Sequence, residues 1–218
     1  MQHAIVLANG EIQDADELRE RLAGVSSGAL VLAANGGSRH VQALGLTPDL
    51  VIGDLDSISP ALREQFEAQG VAMRQAPVRK DETDLELALL HAAAQGAEQI
   101  VVVGALGGRL DMTLANILLM THPALGDTHI ELWTGSQTAW LIRPPGADVH
   151  GQPGDTLSLV PLAGDAIGVT THGLEYPLAD DVLVFGPARG VSNVITEPGA
   201  RVELREGLLL AIHTTGRA

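Results

Sequence analysis

Up to about residue 135, short aliphatic runs alternate with stretches of helical periodicity, and this alternation constrains the fold more than any other feature of the chain. Ala4 to Ala8, Ala29 to Ala33, Leu50 to Ile52, Ile100 to Val103 and Ile130 to Trp133 are short and continuously apolar, as strands buried on both faces of a parallel sheet must be. Helices are predicted between them, near Asp14 to Ala23, Ser38 to Leu44, Pro60 to Gln69, Glu82 to Gln95 and Asp111 to Met120. In the fourth, Leu85, Ala88, Leu89 and Ala92 recur at helical spacing, and Gly96 stands where a left-handed C-terminal cap belongs. Past Gly135 the periodicity disappears. Pro144-Pro145-Gly146, Pro153-Gly154, Gly186-Pro187 and Pro198-Gly199 punctuate short runs such as Thr156 to Val160 and Leu208 to His213, the pattern of an all-β sandwich or barrel. The expectation is an α/β unit with a mostly parallel sheet and flanking helices, then an all-β unit, with a boundary near residues 135 to 140.

The third run carries the most chemistry. Asp49-Leu50-Val51-Ile52-Gly53-Asp54-Leu55-Asp56-Ser57 is entered from Thr47-Pro48 and released at Gly53, so Asp54 and Asp56 leave the carboxyl end of a buried strand together. Residues two apart in extended backbone project to one side, and two carboxylates held there repel unless something positive lies between them. A hard divalent cation meets that need. Mg²⁺ accepts one or two carboxylates, keeps waters and completes its shell with phosphate oxygens, which points to a Mg·nucleotide. The plainer account is a polar turn capping the next helix, but Ser59 at the N-cap and Pro60 at the first helical position supply that cap without the acids.

Composition narrows the partners. Lys plus Arg total 13 against 27 Asp plus Glu, a net charge of -14. Nucleic acids and anionic membranes are held mainly by Lys and Arg, so neither is an expected partner, and no segment reaches membrane-spanning length. The absence of Cys excludes disulfides, thiolate catalysis and Cys-based zinc sites. The start, Met1 to Leu7, has no basic region followed by a long apolar one, so a cytoplasmic protein is expected. Lys80 is the only lysine, and in a chain that otherwise uses Arg its place between Arg79 and Asp81 suggests that an ammonium is wanted there.

Three further stretches could handle phosphate. Asn35-Gly36-Gly37 follows the second run and precedes a helix starting at Ser38; it is either a tight turn or a place where backbone N–H groups approach a phosphate or ribose. Lys80-Asp81-Glu82-Thr83-Asp84 opens the clearest helix. Asp81 as N-cap and Asp84 as the N3 acid of a capping box would explain the acids, whereas a phosphate-handling site would explain Lys80 beside them. Gly104-Ala105-Leu106-Gly107-Gly108-Arg109-Leu110-Asp111 leaves the most apolar run, with Arg109 as a fork of donors for phosphate oxygens and Asp111 available to a metal. A P-loop is excluded because Arg79, not Gly, precedes the lysine, and Gly24-Val25-Ser26-Ser27-Gly28 joins a helix to a strand, the reverse of a serine-hydrolase elbow. The eight His residues have no zinc-ligand spacing.

Taken together, Gly53-Asp54-Leu55-Asp56-Ser57, Lys80-Asp81-Glu82-Thr83-Asp84 and Gly107-Gly108-Arg109-Leu110-Asp111 with Asn116 resemble the signature of the thiamine pyrophosphokinase family in residues, order and spacing. The glycine pair after Asn35 resembles that family's first motif, and Gly173-Leu174-Glu175-Tyr176-Pro177-Leu178 and Val191-Ser192-Asn193 resemble its C-terminal motifs. The resemblance implies a Rossmann-like, nucleotide-binding catalytic domain over residues 1–136 and a thiamine-binding β-sandwich over residues 137–218. It also implies a homodimer with its active sites at the subunit interface. The implied reaction moves the β,γ-pyrophosphoryl group of ATP to the hydroxyl of thiamine, giving thiamine diphosphate and AMP, with Mg²⁺ required. By position, Asp54, Asp56, Asp84 and Asp111 would be the catalytic acids holding metal and polyphosphate, with Asp81 also in the metal set. Asn35, Gly36, Gly37, Lys80, Thr83, Gly107, Gly108, Arg109 and Asn116 would bind the nucleotide. Thr170, Tyr176, Ser192 and Asn193 would line the thiamine pocket from the partner subunit, an aromatic at 176 suiting a flat cationic thiazolium. This chain has Asn35 where the family usually carries Asp, and Met112 for a common His. Two alternatives stay open. A pyrophosphokinase for another hydroxymethyl heterocycle, such as a pterin, is opposed by the C-terminal motifs; a non-catalytic nucleotide-binding regulator is opposed by the full set of acids.

Overall fold

The structure, a computed structural model, describes residues 2–217. The chain forms two compact units, the first ending at Gly135 and the second beginning at Ser136.

In the first unit the strands are β1 (His3–Leu7), β2 (Leu30–Ala34), β3 (Leu50–Gly53), β4 (Ala72–Gln75), β5 (Gln99–Val103) and β6 (His129–Thr134). They are joined by α1 (Ala15–Ala23), α2 (Val41–Leu44), α3 (Pro60–Gln69), α4 (Asp84–Ala94) and α5 (Leu110–Leu119). The strands lie in the order β6-β5-β1-β2-β3-β4, each parallel to its neighbour. Because successive side chains point to opposite faces, each run is buried twice. Ile5, Leu7, Val31, Val51 and Val101 pack with Leu18 and Leu22 of α1, Leu44 of α2 and Phe66 of α3. The alternate residues Ala4, Val6, Leu32, Ile52 and Ile100 are buried too, and α4 lies against β1, β2 and β3. Burying each such aliphatic side chain stabilises the fold by roughly 1.5–3 kcal/mol before conformational entropy is counted.

The caps agree in part with expectation. Ser59 Oγ accepts the N–H of Leu62 at 3.3 Å with Pro60 at the first helical position of α3, and Gly96 follows α4 at φ 85°. At the start of α4 the capping box, one of the two accounts open for that stretch, does not form: Thr83 is the N-cap, its Oγ1 accepting from Glu86 N at 3.1 Å, and Asp84 is the first helical residue. Asp81 is not the cap. It is exposed and has no side-chain hydrogen bond or ion pair among the described residues.

The second unit contains β7 (Gln137–Ile142), β8 (Gly146–Val149), β9 (Thr156–Pro161), β10 (Ala166–His172), β11 (Asp181–Leu183), β12 (Asn193–Val194), β13 (Ala200–Glu203) and β14 (Leu209–Thr214). They form antiparallel arrays in the orders β12-β9-β14-β7 and β11-β10-β13-β8. Ile142, Leu157 and Leu209 of the first array share one apolar cluster with Val149, Val169 and Val202 of the second, which makes the unit a β-sandwich. Among the described residues no helix is long and apolar enough to cross a membrane.

Candidate active site

In the first unit the chain runs outward from β1 through β4, then returns to the other side of β1 for β5. Ligands of open parallel sheets bind at the carboxyl ends of strands where the order reverses in this way. A cavity of about 480 Å³ occupies that position, lined by Asn9–Glu11 after β1, Ala34–Gly36 at the end of β2, Gly107–Arg109 after β5, and Asp84, Met112 and Asn116 from the helices. Its rim is stitched by backbone bonds from Ala8 N to Val103 O at 2.8 Å, Gly10 N to Gly104 O at 2.6 Å and Glu11 N to Leu106 O at 2.8 Å.

Among the described residues, the buried side-chain atoms with neither a hydrogen-bond nor an ion-pair partner are Asn35 Oδ1, Ser38 Oγ and Asn116 Oδ1. Asn35 and Asn116 both line the cavity. Buried polar atoms in native proteins are almost always satisfied, so this concentration marks a surface built to meet a ligand.

The β3 exit is tightly organised. Asn35 is only 6% exposed, and its Nδ2 donates to Asp54 Oδ1 at 2.7 Å and to Asp56 Oδ1 at 3.1 Å. Ser57 Oγ donates to Asp56 Oδ1 at 2.9 Å. The Asn35 hydrogen bond, aided by Ser57, holds the Asp56 carboxyl below the usual carboxylate range. Gly53 lets two side chains close over the strand end: a Cβ there would lie 2.7 Å from Asn35 Cβ and 2.8 Å from Asp84 Cγ. Lys80 Nζ reaches back across the start of α4 to Asp84 Oδ1 at 2.9 Å, both side chains largely shielded from solvent. The structure therefore brings Asn35, Asp54, Asp56, Lys80 and Asp84 together. Gly36 lines the cavity, whereas Gly37 does not and packs against β1, where a Cβ would lie 2.0 Å from Leu7 O.

The β5 exit is looser. Arg109 forms a bidentate pair with Asp111, Nη2 to Oδ2 at 2.5 Å and Nε to Oδ1 at 3.1 Å, both side chains exposed. The guanidinium keeps the Asp111 carboxyl below its usual range. Arg109 lines the cavity and Asp111 does not. Beneath them Asn116 Nδ2 donates to Ala105 O at 2.6 Å, anchoring the loop from inside.

In the second unit the structure joins three of the predicted residues. Asn193 Oδ1 accepts from Tyr176 N at 3.0 Å while its Nδ2 donates to Tyr176 O at 2.7 Å. This clamp leaves the Tyr176 side chain 64% exposed, next to a segment in which Ser192 N bonds Ser158 Oγ at 3.0 Å. Thr170 is placed differently: its Oγ1 accepts from Asp180 N at 3.0 Å, and it lines a separate groove with Gly168, Glu203 and Arg205.

Residues 24–132 match the thiamin pyrophosphokinase catalytic domain and residues 147–209 match the thiamin pyrophosphokinase vitamin B1 binding domain. The chain belongs to the thiamin pyrophosphokinase family. The thiamine pyrophosphokinase of Bacillus subtilis is 28% identical over 172 residues, which cover 78% of this chain and 80% of that one. Thiamine pyrophosphokinase 1 of rice is 26% identical over 175 residues, 76% of this chain and 66% of that longer one. The crystal structure of the Bacillus subtilis enzyme superposes with a TM-score of 0.86 at 26% identity, covering 99% of both chains. The yeast thiamin pyrophosphokinase, 15% identical, shares the fold with a TM-score of 0.76 over 98% of this chain and 86% of that one. The chain is thus an enzyme of the thiamine pyrophosphokinase kind.

Membership in the thiamin pyrophosphokinase family raises the question of a divalent cation. Among the described residues no three His, Asp or Glu side chains stand close enough to hold a metal on their own. Asp54 and Asp56 are an adjacent pair, and among the described residues neither Oδ2 has a hydrogen-bond partner. That donor set does not fit a resident ion in a protein cage. It fits Mg²⁺ bound by one or two carboxylates with phosphate oxygens completing the shell.

Asn9, Gly10, Glu11 and Arg39 also line the cavity, and sequence reasoning missed them. Arg39 Nη2 donates to the carbonyls of Asn9 and Gly10 at 2.9 Å each, and His40 Nε2 lies 2.9 Å from Gly10 O, with burial lowering the His40 pKa. The signal was present: Asn9-Gly10 leaves β1 much as Asn35-Gly36 leaves β2.

Proposed function

We propose that the cavity at the β1/β5 reversal binds ATP, that Asp54 and Asp56 hold Mg²⁺ on its phosphates, and that thiamine is the acceptor. The reading rests chiefly on one observation: Asn35 and Asn116, each with an unpartnered buried oxygen, line one cavity inside the matched catalytic domain together with Asp84, whose carboxylate is paired with Lys80. The thiamine hydroxyl oxygen attacks the β-phosphorus, the bond from that phosphorus to the oxygen bridging the α-phosphate breaks, and AMP leaves with the bridging oxygen. The hydroxyl proton passes to a carboxylate. When bound, Mg²⁺ neutralises charge on the transferring phosphates. Lys80 and Arg109 add positive charge, and the glycine-rich exits let backbone approach the polyphosphate; positioning and electrostatics supply most of the rate in such transfers. Thiamine lies against Tyr176, Ser192 and Asn193, supplied across a homodimer interface in a cytoplasmic enzyme.

Thermal melting with Mg²⁺ and an unreactive ATP analogue, with and without thiamine, tests this reading. Thiamine is expected to add stabilisation beyond the analogue alone. No added stabilisation with thiamine, and a shift with a hydroxymethylpterin instead, would reject it.

A further inference from the structure

Two carboxylates at the end of one strand repel, and in a nucleotide-free protein something must offset that repulsion. Among the described residues neither Asp54 nor Asp56 forms an ion pair. Lys80 pairs with Asp84 and donates to the Pro77 carbonyl, its charge acting on Asp56 less than the Asn35 hydrogen bond does, and Arg109 pairs with Asp111. What lies between Asp54 and Asp56 is the amide of Asn35, with Nδ2 bonded to both. Its orientation follows from chemistry, since the flipped amide would set an oxygen against two carboxylates. Asn35 is more than nine-tenths buried, lines the cavity, and keeps an unpartnered Oδ1 there. Its backbone is left-handed at φ 42°, a conformation that Asn and Asp tolerate better than other residues with a Cβ.

We propose that Asn35 is a positioning residue that stands in for the cation in the nucleotide-free protein: its amide holds Asp54 and Asp56 side by side, so that Mg²⁺ need not be resident and enters with the nucleotide. Both Oδ1 atoms are used by the amide, which leaves both Oδ2 atoms for the incoming ion. An Asp at this position would instead place a third carboxylate where the two donors now lie, and the site would need an ion to stay assembled.

This inference rests on Asp54 and Asp56 facing a cation, and its test uses neither ATP nor thiamine. The full chain is melted in EDTA and again in excess Mg²⁺, as wild type, Asn35→Asp and Asn35→Asp/Asp56→Asn. Asn35→Asp preserves shape and backbone tolerance while removing both donors. It is expected to melt about 3–6 °C below wild type in EDTA. Mg²⁺ should recover most of that loss and move wild type by less than about 1 °C. The double variant, which again has one amide among two carboxylates, should melt like wild type in EDTA. If Asn35→Asp does not fold in EDTA, folding of the double variant upholds the role and its failure to fold overturns it. Equal melting of wild type and Asn35→Asp in EDTA also overturns it. So does a loss that neither Mg²⁺ nor the second substitution reverses, or a wild type that Mg²⁺ stabilises as much as the variant. A wild type that makes no AMP from thiamine and ATP, yet melts in the expected pattern, would discard the reaction and leave the positioning role standing.

Discussion

The exits of β3 and β5 carry similar residues, acids next to glycines at the end of an apolar strand, yet the protein builds them in opposite ways. At β3 the acids are tied to a buried amide, overlooked by a shielded Lys80–Asp84 pair, and held over Gly53. At β5 the charged pair Arg109–Asp111 lies in solvent, and the ordered element is Asn116 beneath it. Under the proposed function the β3 carboxylates are fixed in advance for a cation, because reorganisation at the moment of reaction would cost rate. An Arg that meets phosphate on arrival can remain exposed and paired until then, since an exposed ion pair is worth about 0–1 kcal/mol and is easily exchanged.

That contrast breaks first under substitution of the acids. Asp56→Asn is expected to lower thiamine diphosphate formation by at least about a hundredfold with the circular dichroism spectrum unchanged. Asp111→Asn should cost about tenfold or less, and equal losses would erase the distinction between the exits. Next comes the hidden anchor of the β5 exit. Asn116→Leu strands the buried Ala105 carbonyl, and chemical denaturation should register a loss of about 1–3 kcal/mol. A neutral result would mean that the loop is held by its backbone bonds alone. Tyr176→Ala tests whether either exit also serves the acceptor. It should raise KM for thiamine about tenfold while leaving that for ATP nearly unchanged, the scale of a lost cation–π contact; a larger change for ATP would put the acceptor elsewhere.

The smallest effect concerns pH. Asp56 and Asp111 both have folded pKa values depressed below their ordinary range, by Asn35 and Arg109 respectively. A depressed carboxylate contributes its stability above its unfolded pKa, near 3.9, and loses it only as pH falls through the lower folded value. Neither exit should therefore weaken the fold between about pH 5 and 8. In Asn35→Ala the Asp56 carboxyl resonance, followed by NMR, should titrate at higher pH while that of Asp111 stays put. Movement of both would show that the exits are coupled.

Much of this was legible in the chain because the parallel sheet writes itself as apolar runs. β1, β2, β3, β5 and β6 lie where Val, Ile, Leu and Ala cluster, and the acids at the β3 exit follow from where that run stops. β4 was not legible, since Ala72-Met73-Arg74-Gln75 is a sheet-edge strand with no fully buried residue and so no apolar run. The cap of α4 was left between two readings because Asp81, Thr83 and Asp84 can all accept a backbone N–H; packing of Asp84 over Gly53 and its pairing with Lys80 leave Thr83 to cap. The contribution of Glu11 to the cavity depends on β5 returning beside β1 and that of Arg39 on β2 lying beside β1, long-range pairings that no local pattern records. The link from Asn35 to Asp54 and Asp56 spans about twenty residues of chain and is likewise visible only once β2 lies beside β3.

The most direct measurement is chromatography of the nucleotides formed when the purified protein is incubated with Mg·ATP, with and without thiamine. AMP that appears only with thiamine, in equal amount to thiamine diphosphate, is the predicted result. ADP in its place, or AMP formed equally without thiamine, would contradict pyrophosphoryl transfer at this site.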